Sequence, residues 1–83
     1  VDLLLRRGQD ALEAGDPEAA IGHLTAAIDH ARDFAEAYVA RASAYYLTDR
    51  IGPALADLRR ALALSPDHAE ALTGLAVLLE ELG

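Results

Sequence analysis

Eighty-three residues are enough for one small domain with a modest core, and a hydrophobic share of 53%, carried mainly by Ala and Leu, favours helix over strand. Fourteen acidic against seven basic residues leave a net charge of −7, which repels nucleic-acid phosphates and anionic lipid and argues against both as partners. The absence of Cys excludes thiol catalysis, disulfides and cysteine zinc sites, and it leaves the cellular compartment open.

The chain opens on VDLLLRRGQD, which lacks the basic start and long apolar centre of a signal peptide, and no apolar run approaches the roughly 18 residues of a membrane span. Without an initiating Met, the chain is expected to be an excerpt or a processed product. All seven basic residues are Arg, which with the abundant Ala suggests GC-rich coding and a bacterial source.

In the first predicted helix, Leu4, Gly8 and Ala11 fall at i, i+4 and i+7 and form one stripe. GDPE at residues 15–18 then supplies a glycine able to end a helix, an Asp to cap the next, and a Pro suited to a first turn. Ala20, Leu24, Ala27 and Ile28 mark the buried face of the second helix. Asp33 with Glu36 has the spacing of a capping box and is expected to start the third helix, whose stripe is Tyr38, Ala42 and Tyr45. Ala54, Leu58, Ala61 and Leu62 mark the fourth. Asp67 with Glu70 repeats the capping spacing before the fifth, where Leu72, Ala76 and Leu79 line up.

These elements repeat at an offset of 34 residues: Leu4, Tyr38 and Leu72 align, as do Gly8, Ala42 and Ala76, then Ala11, Tyr45 and Leu79. With that period, and with Tyr38, Ala42, Tyr45, Ala54, Leu58, Ala61 and Pro66 in order, the chain resembles the tetratricopeptide repeat family and its pattern W-x2-L-G-x2-Y, A-x3-F, P. Arg7 and Arg41 depart from it where Leu is usual, and Arg32 stands where the closing Pro belongs. The resemblance implies an all-α, right-handed solenoid of antiparallel helix pairs, in which residues 1–34 and 35–68 form two full units and residues 69–83 one additional helix. Helix pairs of another repeat family are the structural alternative.

The resemblance also implies that the first helices of successive units line a concave groove that takes a peptide or a partner's helix. The groove-facing places hold Leu5, Gln9, Leu12, Val39, Ser43, Tyr46, Thr73 and Val77, with Asp2, Glu36, Glu70 and Glu80 giving an acidic edge. Tyr46 is the first choice for a contact residue, since an aromatic offers area, little rotamer entropy loss and a hydroxyl. A packing role against a neighbouring helix is the competing account for Tyr46. Asp2, Glu36 and Glu70 offer a place for a basic ligand, with helix-dipole capping as the competing account. One branch of the family grips acidic C-termini through Lys, Asn and Arg. Here Leu5, Gln9, Ala40, Glu70 and Gly74 occupy those places.

Arg41 is expected inside its unit, where it needs a partner, and Asp57 on the following helix is the proposed one. The fifth helix carries Leu72, Leu75, Leu78, Leu79 and Leu82 on more than one side, and each Leu left in water forgoes about 1.5–3 kcal/mol. A further helix, a second copy of the chain, or plain exposure is expected to account for it. The second option makes Leu75, Leu78, Leu79 and Leu82 a self-association surface and the chain a homodimer.

No phosphate loop, zinc motif or isolated carboxylate pair is present, so neither an enzyme nor a cofactor or metal site is expected. Ser65, Asp67 and His68 have the residue types of a hydrolase triad, but a repeat junction explains them better. His23 and His30 lie about 10.5 Å apart along a helix, too far to share a metal.

Overall fold

The GDPE turn shows how this chain changes direction. In a computed structural model describing residues 2–83, helix α1 (Asp2–Glu13) gives way to α2 (Pro17–His30) through Gly15, whose φ of 79° is left-handed. The Gly15 N–H donates to the Leu12 carbonyl (3.1 Å) and the Asp16 N–H to that of Ala11 (2.8 Å), which satisfies the last carbonyls of α1. Asp16 then caps α2, its Oδ1 accepting from the Ala19 N–H at 3.2 Å, and Pro17 occupies a position that needs no N–H donor.

Thirty-four residues on, the chain turns in the same way between α3 (Ala35–Leu47) and α4 (Ile51–Leu64). Asp49 takes the left-handed place with φ 62°, its N–H donating to the Tyr46 carbonyl (3.0 Å) and the Arg50 N–H to that of Tyr45 (2.8 Å). α4 has no side-chain cap. Gly83, after α5 (Ala69–Leu82), repeats the left-handed geometry with φ 90°.

The junctions before α3 and α5 correct the capping expectation. Residues 31–34 and 65–68 form matching tight turns, with the Phe34 N–H on the Ala31 carbonyl (3.2 Å) and the His68 N–H on that of Ser65 (3.1 Å). Asp33 and Asp67 are therefore consumed as third residues of turns, and the caps fall one place later. Phe34 caps α3 without a side-chain bond and packs on the core. His68 caps α5, its Nδ1 accepting from the Ala71 N–H at 3.3 Å. Pro66 and Arg32 share the second place of their turns, and the Tyr38 hydroxyl donates to the Arg32 carbonyl at 3.0 Å.

The helices stack as two pairs and a fifth helix, with no strand among the described residues. α3 is buried on two sides: Ala37, Ala40 and Ala44 on one, Tyr38 and Ala42 on the other. Small residues let the backbones close in around two leucine knobs, Leu24 and Leu58. A Cβ added to Gly8 would stand 2.5 Å from Leu24 Cγ, so only glycine fits there, whereas at Gly74 the nearest Leu58 carbon would be 3.2 Å away.

α5 is covered on one side only. Ala71 and Leu78, the counterparts of Ala37 and Ala44, are buried, with Leu78 at 3% exposure, while Leu72, Leu79 and Leu82 remain 48%, 49% and 58% exposed. Leu72, Ala76 and Leu79 form the stripe that in α3 packs on the second helix of its pair, and α5 has no such helix among the described residues. The exposed set is thus Leu72, Leu79 and Leu82, with Leu75 partly buried. Leu78 belongs to the chain's own core, which removes it from the expected self-association surface.

Candidate functional site, a groove across α1, α3 and α5

Arg41 anchors the central helix. Its Nε donates to Asp57 Oδ2 at 2.8 Å and its Nη2 to Oδ1 at 2.7 Å, a two-pronged bond between α3 and α4. Nη1 reaches Thr25 Oγ1 on α2 at 3.3 Å. The guanidinium also lies over the rings of Tyr38 and Tyr45 at 5.8 and 5.6 Å. The hydrogen bond to Asp57 raises the Arg41 pKa further above its ordinary value, against the opposing effect of burial. The proposed partner is thus the one the fold supplies, and one side chain fixes three helices. No equivalent pair joins Arg7 and His23 among the described residues.

With α3 held on that side, its opposite face opens into two cavities that share Val39, Ser43 and Glu70. The first, about 420 Å³, lies between the end of α1 and the starts of α3 and α5. Gln9, Leu12, Ala40 and His68 line it together with three carboxylates, Glu13, Glu36 and Glu70. The second, about 260 Å³, is mainly apolar and is bounded by Tyr46, Leu47, Gly74, Val77 and the buried Leu58 and Leu78. The second cavity is smaller than the roughly 300–1,000 Å³ usual for a drug-sized ligand and suits one or two side chains of a larger one, while the first falls at the low end of that range.

Six of the eight residues expected to face a groove line these cavities: Gln9, Leu12, Val39, Ser43, Tyr46 and Val77. Leu5 does not, because it is partly buried against the core, and Thr73 is exposed outside both. Of the expected acidic edge, Glu36 and Glu70 line the groove, whereas Asp2 and Glu80 are exposed elsewhere. Tyr46 is 38% exposed, its ring on the apolar cavity and its hydroxyl donating to Glu81 Oε1 at 2.6 Å. That bond raises the Tyr46 pKa. Tyr46 therefore both lines the groove and ties the end of α5 to α3.

Glu13, Leu47 and His68 were not among the expected groove residues. Glu13 and Leu47 each follow an expected one, Leu12 and Tyr46, so widening the stripe by one residue recovers them. His68 enters because the cap of α5 falls on it. Its Nδ1 is engaged by the Ala71 N–H, which suits a structural role better than a triad. No group of three or more His, Asp or Glu that could hold a metal gathers among the described residues.

Known proteins share this architecture. The tetratricopeptide repeat family model matches residues 5–52 and again residues 50–83. Protein SGT1 homolog from Bos taurus is 38% identical over 69 residues, which cover 83% of this chain and 20% of that protein, so the chain spans about a fifth of that relative. The solved structure of the first TPR of Spaghetti (RPAP3) bound to HSP90 peptide SRMEEVD superposes with a TM-score of 0.93. That match is 24% identical and covers 96% of this chain and 64% of the other, a likeness of fold.

Proposed function

We start from the fact that this chain belongs to the tetratricopeptide repeat family, and we propose that it is a non-catalytic binding module whose groove holds a peptide or helix of a partner protein. The observation that carries this reading is the pair of contiguous cavities on α1, α3 and α5, bordered by Tyr46, Leu47 and Val77, three apolar side chains left in solvent. The RPAP3 domain of the same fold was solved with a peptide, which supports a peptide as the class of ligand. Residues 1–34, 35–68 and 69–83 are the units of this proposal.

Tyr46→Ala combined with Val77→Glu tests it, since both positions are exposed and the fold should survive. Capture of partner proteins from the source organism, or of members of a peptide library, should fall by tenfold or more with an unchanged circular dichroism spectrum. Unaltered capture refutes the reading. Val39 is unsuited to this test because it is 8% exposed and a charge there would disturb the core.

The exposed stripe on α5 supports a second reading, self-association into a homodimer through Leu72, Leu75, Leu79 and Leu82. Sedimentation equilibrium over a wide concentration range separates the two. A dimer abolished by Leu79→Glu supports this reading, and a monomer at all concentrations rejects it.

A further inference from the structure

We infer that the groove selects a partner segment carrying a basic side chain followed or preceded by an apolar one, the basic group entering between Glu13, Glu36 and Glu70 and the apolar group seating against Tyr46, Leu47 and Val77. The inference rests on the groove-binding reading above and adds the chemistry of the ligand.

Charge complementarity carries it. The larger cavity is lined by three carboxylates, and none of the seven arginines lines either cavity. The ion pairs among the described residues are those of Arg41 with Asp57 and Arg50 with Glu18, so no internal cation neutralises Glu13, Glu36 or Glu70. The helix dipole accounts for an acidic residue in the first turns of α3 and α5, and the 34-residue register turns both toward one cavity, but neither accounts for Glu13 beside them. At Glu13 the dipole works the other way: this carboxylate stands in the last turn of α1, where negative charge is disfavoured.

The second cavity decides what kind of cation is meant. It opens from the first through Val39, Ser43 and Glu70 and is mainly apolar, so a free ion or small amine would leave it empty. A polypeptide segment fills both, and Arg or Lys can lay its methylene stem along Leu12 and Val39 while its head meets the acids. A nucleic acid or anionic lipid surface is repelled by the same charges. A segment whose charged residues are all acidic meets like charge here, and no arginine lines the groove to receive its carboxylates.

The test is an array of short synthetic peptides in which one Arg or Lys and one Leu or Phe are set at varied separations. Matched arrays carry Glu in place of the basic residue or Ser in place of the apolar one. Binding is read by fluorescence anisotropy at low and high salt. The expected result is binding confined to the basic and apolar array, about tenfold weaker with Glu36→Gln and Glu70→Gln together, and weaker as salt rises. Leu47→Ser with Val77→Ser should weaken the same peptides at both salt concentrations. All four positions are exposed, so circular dichroism should report an intact fold. Equal binding of acidic or neutral peptides overturns this inference and leaves the groove-binding reading standing. Binding that ignores the Gln substitutions also overturns it. If no peptide in any array binds, both fall.

Discussion

The pairs α1/α2 and α3/α4 place a leucine at the same point of the repeat, yet close around it with different residues. Leu24 stands against Gly8 of its own pair and shares a buried cluster with Ala40 of the next, whereas Leu58 has Ala42 on its own side and Gly74 on the next. Glycine marks the tighter approach in each case, and it changes sides. The α3/α4 pair also carries the Arg41 and Asp57 bond, which α1/α2 lacks. Both pairs therefore keep the leucine and the turn, and each closes around them with its own side chains.

The largest expected effect lies at the ion pair, where the two helix pairs differ most. Arg41→Met leaves Asp57, whose side chain is 7% exposed, without its cation, and removing one partner of a buried pair costs about 3–5 kcal/mol. Urea denaturation should show most of the stability of so small a domain lost. Replacing both residues with Leu should return the pair close to its original stability, because desolvation of two charges is removed along with their attraction. If the single and double variants are equally destabilised, the bond is not what fixes α3 on α4.

Gly8→Ala comes next. Leu24 is fully buried and the new methyl would meet its Cγ, not the tip of a mobile chain, so overpacking of about 1–3 kcal/mol should outweigh about 1 kcal/mol gained in helix propensity. Gly74→Ala, whose methyl would approach only the outer carbons of Leu58, should be close to neutral. Gly22→Ala reads the propensity gain alone, since nothing lies within 4 Å. Thermal melts of the three variants should fall in the order Gly22, Gly74, Gly8 from most to least stable; a different order would mean that the two knobs are not packed as their contacts indicate.

The same comparison shows why some features were legible in the sequence and others were not. The 34-residue period, the five helices, the GDPE turn and the partner of Arg41 follow from local spacing and from the cost of an unpaired buried charge. The caps at Asp33 and Asp67 fall one residue later than expected, because Asp is a turn residue as well as an N-cap residue, and the turn's own hydrogen bond decides between them. Leu78 and Leu79 are adjacent and chemically identical. Which of them is buried depends on which neighbouring helix is present, and no residue type records that. Six groove positions could be placed from the repeat register, whereas Glu13 and His68 depend on helix ends, where register slips by a residue most easily.

The smallest expected effect compares the two turns themselves, Gly15 against Asp49. An L-residue in the left-handed region loses roughly 1–2 kcal/mol, less for Asp than for most, and Asp49 also places negative charge beside the last carbonyls of α3, at the unfavourable end of that helix. Glycine would remove both penalties and would return about 0.4–1 kcal/mol to the unfolded chain as entropy. Asp49→Gly should therefore stabilise by about 0.5 kcal/mol, and Gly15→Ala should destabilise by more, since alanine lacks the polar side chain that eases Asp into this geometry. Asp49→Asn separates the contributions by removing the charge while nearly keeping the shape: a melting temperature above that of the parent chain shows a charge penalty, and one equal to the parent's leaves backbone strain as the penalty that Asp49→Gly relieves.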